Sequence, residues 1–176
     1  MASGVRSATL TAHLSPGCYE LGSNEGQVGE AVRLLEEAAQ RCTKRTGFLV
    51  YFNLGRVYDS VRDREKAAQA LRRALGYHPD HVVARHQYGV VLSRLGKTDD
   101  AVRVFDELIT GELARSAGPT ETLLYAYRGK IITLRKAQRT VEAEQTRADA
   151  HSVVTAWPWL SEKAKDLDSA WIGHDG

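Results

Sequence analysis

One pattern occurs twice between residues 48 and 115, with its copies 34 residues apart. Leu54-Gly55 is echoed by Tyr88-Gly89, Tyr58 by Leu92, Ala67 by Ala101, Leu71 by Phe105 and Ala74 by Leu108. A repeat of this length is one helix–turn–helix unit, which cannot bury its apolar face alone, so successive units must stack. In the first copy Gly55 and Ala67 are small where two antiparallel helices approach closely, and a larger side chain would push them apart. Pro79 cannot continue a helix and biases His78 towards an extended conformation, so the chain turns there.

The rest of the chain is organised around this pair. Residues 1–23 lack a sustained period and include Pro16, Gly17 and Gly22, so they read as a flexible arm. Asn24 and Gln27 have the spacing of a capping box. Behind them Val28, Ala31, Val32, Leu35, Ala38, Ala39 and Cys42 recur at three and four, predicting an amphipathic helix with Cys42 as a small buried hydrophobe. Asp63 is expected to cap the second helix of the first copy, and Asp80 the helix that follows the turn. In the second copy Gly96 ends one helix and Thr98 starts the next. The string from Ser116 to Thr120 then lengthens the connection by about six residues. After Trp157-Pro158-Trp159, a last helix capped by Ser161 carries Leu160, Ala164, Leu167 and Trp171 on one face.

The two copies, with small residues at fixed offsets and a proline near the end, resemble the tetratricopeptide repeat. That resemblance implies an all-α, antiparallel helix-pair solenoid, a right-handed superhelix with a C-terminal capping helix. It divides the chain into the arm (1–23), a half repeat (24–46), repeats at 48–81 and 82–115, a degenerate repeat at 121–156, and a capping helix and tail (157–176). In the degenerate unit Tyr125, Gly129, Ile132 and Ala148 take the family's slots, while Arg128 and Gln145 stand where apolar residues are usual.

The resemblance also implies which side chains line the concave face. In the first repeat these are Leu49, Phe52, Asn53, Arg56, Asp59 and Ser60; in the second Val83, His86, Gln87, Val90, Ser93 and Arg94; in the third Leu123, Ala126, Tyr127, Lys130 and Thr133. The peptide-binding set selected from them is Phe52, Asn53, Arg56, His86, Gln87, Val90, Arg94, Tyr127 and Lys130. Arg56, Arg94 and Lys130 make the groove mildly basic, and Phe52, Val90 and Tyr127 offer apolar contact, which suits an extended or helical peptide with some acidic character. The clamp that a subset of the family uses for chaperone C-termini is similar at Asn53. It wants cations where this chain has Val83 and Gln87, so it is not expected here.

Other chemistry finds little support in the residues. Gly96-Lys97-Thr98 resembles the end of a phosphate-binding loop, but Val91 stands where that loop needs glycine. Gly22, Gly26 and Gly29 have no strand before them. His78, His81 and His86 do not have the spacing of a known metal-ligand set. A net charge of +2 gives no electrostatic case for nucleic acid or an anionic membrane. No apolar run approaches a membrane span, and two cysteines cannot build a disulfide framework. The expectation is therefore a cytoplasmic, non-enzymatic adaptor without cofactor or metal that binds a protein or peptide segment. The alternative is a structural module that self-associates weakly through its Trp-containing C-terminal segment.

Overall fold

The computed structural model describes residues 25–164; the N-terminal arm, Cys18, the Asn24 cap, Leu167 and Trp171 lie outside them. The described chain forms seven helices: α1 (Glu25–Gln40), α2 (Gly47–Ser60), α3 (Arg64–Tyr77), α4 (Val82–Arg94), α5 (Thr98–Leu113), α6 (Thr122–Lys136) and α7 (Thr140–Ala156). A further helical segment begins at Leu160 and is described to residue 164. No strand occurs among the described residues. α2 pairs with α3, α4 with α5 and α6 with α7, and the first helix of each pair also packs on the second helix before it. The result is an array in which each helix pair covers its neighbour's apolar face.

The turn inside each pair fixes the register of the array. Arg62, Gly96 and Gln138 all adopt positive φ, at 63°, 75° and 59°. In each case the next amide reaches back to a helix carbonyl: Asp63 to Tyr58 (2.9 Å), Lys97 to Leu92 (3.0 Å) and Arg139 to Leu134 (2.9 Å). The left-handed residue itself also donates, Arg62 to Asp59, Gly96 to Ser93 and Gln138 to Arg135. This is the Schellman arrangement, which satisfies carbonyls that a helix end leaves free. The three turns lie 34 and 42 residues apart. The third unit is thus displaced by eight residues beyond the period rather than about six.

That difference of two residues corrects the third unit. Ala101 corresponds to Ala143 and Leu108 to Ala150, and all four are buried. Ala148 and Gln145, placed in apolar slots from the sequence, are exposed instead, and Tyr125 is 46% exposed. Two capping expectations also change. The α4 helix is capped by His81, whose Nδ1 accepts from the Ala84 amide at 3.2 Å, rather than by Asp80. Thr98 already lies inside α5, whose cap position is Lys97. Asp63 does cap α3, accepting from the Lys66 amide at 3.2 Å.

Two apolar clusters make up the core. One gathers Leu54, Tyr58, Ala67, Leu71 and Val91. The other gathers Leu92, Phe105, Leu108, Leu123, Ile131 and Leu134, and half-buried Tyr88 packs against both. Val32, Leu35 and Ala39 of α1 lie against the first cluster. The Tyr58 hydroxyl donates to the Glu36 carboxylate, tying α1 to α2. Burial, with that carboxylate beside it, pushes the Tyr58 pKa up to about 12. Cys42 is not on the α1 stripe: the helix ends at Gln40, and the half-buried thiol lies 3.6 Å from the Tyr77 hydroxyl.

Candidate functional site

The first helices α2, α4 and α6 each turn one stripe away from their partners. On α2, Tyr51, Leu54 and Tyr58 face the cluster shared with α1 and α3. Leu49, Phe52, Asn53, Arg56, Asp59 and Ser60, at three- and four-residue steps, form a different stripe. The corresponding stripe on α4 is Val83, His86, Gln87, Val90, Ser93 and Arg94. Between these two stripes lies a groove of about 310 Å3, lined by Gly55, Arg56, Asp59, Leu71, His86, Gln87, Val90, Val91 and Arg94. Five of the nine sequence-selected residues, Arg56, His86, Gln87, Val90 and Arg94, thus come together in one cleft.

The charges in that cleft are not equivalent. Arg94 is engaged by Asp59 across the two helices and contributes little net field. The second Asp59 oxygen, Oδ1, is buried without a hydrogen-bond partner. Arg56 makes no ion pair among the described residues. Phe52 and Asn53 continue the α2 stripe, half-buried; the Phe52 ring lies 5.5 Å from Phe48 and 5.7 Å from His81.

His86 links the second unit to the third. Its Nε2 lies 3.3 Å from the Tyr125 carbonyl oxygen, and its ring packs 5.8 Å from Phe105 and 6.2 Å from Tyr125. With Nε2–H donating to that carbonyl, the neutral ring leaves Nδ1 as an acceptor. Burial lowers its pKa below the usual 6.5; the bond to Tyr125 opposes this, and the Arg128 charge adds to the lowering. His81 is lowered too, by burial first and then by His78. Both groups take up a proton more readily when unfolded. Stability is therefore full above about pH 6.5 and falls as the pH drops through that value towards the folded pKa. Urea midpoints measured from pH 7.5 to 5.5 should decline, and a His81→Asn, His86→Gln double variant should flatten the slope.

Four of the nine do not line the cleft: Phe52 and Asn53 stand beside it on the α2 stripe, and Tyr127 and Lys130 leave that face altogether. Tyr127 is only 5% exposed and lies in the core among Leu123, Leu124 and Ile131. Lys130 extends to α5, where its Nζ meets Asp106 Oδ1 at 2.7 Å. Leu123, Ala126 and Thr133 are buried as well, and the Thr133 hydroxyl donates to Ser93 at 2.9 Å. The cause is the displaced register. With 42 residues between the second and third units, the stripe on α6 is Tyr125, Arg128, Gly129, Ile132, Arg135 and Lys136. Arg128, unusual in an apolar slot, corresponds instead to groove-lining His86. It makes no ion pair among the described residues, and its Nε is buried without a hydrogen-bond partner. The structural marker is the Ala137-Gln138-Arg139 turn, which lacks the glycine that makes such turns legible in a sequence, so no sequence signal pointed to Arg128.

A family model for the tetratricopeptide repeat matches residues 49–81. The match covers one helix pair, 33 of the 176 residues. Among solved structures, this repeat chain is similar to the MamA protein, at 19% identity and a TM-score of 0.62, over 74% of this chain and 66% of that one. A second MamA structure gives 20% identity and a TM-score of 0.61, over 80% and 72%. It is also similar to the nearly identical TPR-like repeats of a putative kinesin light chain from Podosopora anserina, at 18% identity and a TM-score of 0.61, over 75% and 70%. These likenesses establish the helix-pair solenoid. The chain spans just under two thirds of the length of the first MamA structure. No curated protein matches the chain. Tetratricopeptide repeats generally mediate protein–protein interaction. No helix among the described residues is long and apolar enough to cross a membrane.

Proposed function

We propose that the chain is an adaptor that holds a segment of another protein in the concave groove between α2, α4 and α6, without chemistry of its own. The observation that carries this reading is the cleft lined by Arg56, His86, Gln87, Val90 and Arg94. Polar and apolar groups converge there on a cavity large enough for side chains of a bound peptide. Arg56 and Arg128 face the same side without ion-pair partners among the described residues, whereas Asp59 is engaged by Arg94. The groove is thus net positive and favours a partner segment of acidic character.

Reversing both free cations (Arg56→Glu with Arg128→Glu) should reduce capture of partners from the native organism's extract by at least about tenfold, because charge reversal opposes encounter and leaves the complex mismatched. The far-ultraviolet circular dichroism should stay helical. Unaltered capture by the folded double variant would move the site to the convex surface or the termini. A second reading draws on Trp157 and Trp159, which are 39% and 51% exposed: self-association through the C-terminal segment. Sedimentation at two concentrations separates the two, since only self-association gives a concentration-dependent mass that Trp159→Ala abolishes.

A further inference from the structure

The start of α4 is held differently from those of its neighbours. Asp63 caps α3 with a carboxylate, and the first helices α2 and α6 have no side-chain cap. At α4 the acceptor is a ring nitrogen, His81 Nδ1, which receives the Ala84 amide at 3.2 Å. Because Nδ1 accepts, the ring is neutral and carries its proton on Nε2. Phe48 and Phe52 of α2 lie 4.4 and 5.7 Å from this ring, and His78, which ends α3, meets it edge-on at 5.5 Å. Phe48 also packs 5.5 Å from His78. Four rings thus hold the α3–α4 turn and the first turn of α4 against α2.

A carboxylate stays an acceptor throughout the range of about pH 5 to 8, whereas an imidazole does not. A proton on Nδ1 turns the acceptor into a donor that faces the Ala84 N–H. It also places positive charge at the helix end where the dipole is already positive. The surroundings offer that charge no relief. From α2 the ring meets two phenylalanines, and a charged His78 would repel it. Asp80, next in the chain, is exposed and paired at 3.9 Å with Arg85, whose Nη2 also donates to the Pro79 carbonyl at 2.7 Å. Burial, and then His78, hold the His81 pKa below its usual 6.5. The cap is therefore complete while the ring is neutral and is lost as the pH falls through the folded pKa.

We propose that this joint is an acid-released latch: the neutral His81 ring fixes the first turn of α4 against α2, and a proton on Nδ1 removes the cap and frees that turn while the helix pairs on either side stay folded. The turn leads directly into His86 and Gln87 of the cleft. The latch belongs to the joint itself and does not depend on what the groove holds.

Nuclear magnetic resonance of the full chain, titrated from about pH 7.5 to about 5, tests this. The Ala84 amide signal should move with protonation of the His81 ring. Loss of a good cap shifts a helix start about fivefold towards the frayed form, so the helical Cα shifts of Val82, Val83 and Ala84 should fall by at least about half while those of α6 hold. His81→Asn, whose side-chain oxygen caps at every pH, should abolish this local loss although His86 still titrates. His78→Gln should keep the transition and move it to higher pH, since one cause of the lowering is gone. A first turn of α4 that stays helical while His81 protonates would overturn the latch. The same loss in the His81→Asn variant would overturn it too, by passing the role to His86. So would a matching loss in α6 at the same pH, because the event would then be global unfolding.

Discussion

Gly129→Leu should lower the urea midpoint by the equivalent of about 1–3 kcal/mol or more, the cost of overpacking a filled core. A Cβ at position 129 would lie 2.5 Å from the Phe105 ring, and Phe105 has no exposed surface. Gly55 is placed similarly, with its would-be Cβ 2.6 Å from Leu71 Cγ and 3.4 Å from the Ala67 carbonyl. Gly55→Leu and Ala67→Leu should therefore be costly too, since Ala67 has no exposed surface either. Gly76 and Gly111 are controls of opposite sign: both lie inside helices and a Cβ at either would meet nothing within 4 Å. Alanine there should stabilise by about 0.5–1 kcal/mol by reducing unfolded-chain freedom. Phe105→Ala alone should cost about 3–5 kcal/mol. In that background Gly129→Leu should cost much less than in the native chain, because the ring it would strike is gone. Additive effects of the two substitutions would mean that α5 and α6 do not meet at this point.

The same contact explains what the sequence could and could not disclose. In the first two units the signature glycine faces its own second helix: Gly55 meets Leu71, and Gly89 meets Phe105 and Val104. The pairs around them were legible because small residues, apolar spacing and the Pro79 turn agree. In the third unit Gly129 resembles that glycine but makes room for Phe105 of the preceding unit. Taking it as the signature shifts α6 by two residues, which puts buried Tyr127 on the concave stripe and takes Arg128 off it. The true marker was a non-glycine residue in the left-handed region, Gln138, and such a turn has no reliable sequence signature. Asp59 and Arg94 were both placed on the concave stripe, but their engagement joins residues 35 apart. Pairings of that separation depend on how helices settle against one another, so the engagement of Arg94 by Asp59 is visible only in the assembled array.

Deleting everything after Ala156 should lower the melting temperature by about 5–15 °C, the equivalent of a few kcal/mol in a domain of this size. The segment after α7 begins with Trp157, whose ring lies over Gly118: a Cβ at that glycine, at φ 85°, would come within 3.0 Å of the indole. The loop beneath is held by Glu112, only 3% exposed, which accepts from the Thr120 amide at 2.7 Å and the Thr120 hydroxyl at 2.6 Å. Leu160 then enters the core with no exposed surface, and Ala164 packs against the same cluster. Leu160→Ala alone should cost about 2–5 kcal/mol, and the deletion at least as much, because it also uncovers apolar surface on α6 and α7. Newly exposed surface at the end of a repeat array favours association, so the truncated chain should sediment heavier as its concentration rises. A detachable interaction helix predicts the reverse: unchanged melting, with only partner binding or self-association lost. Melting curves of the full chain, the deletion and Leu160→Ala separate these outcomes, since a cover requires the point variant to reproduce most of the loss in stability, whereas a detachable helix leaves all three curves coincident.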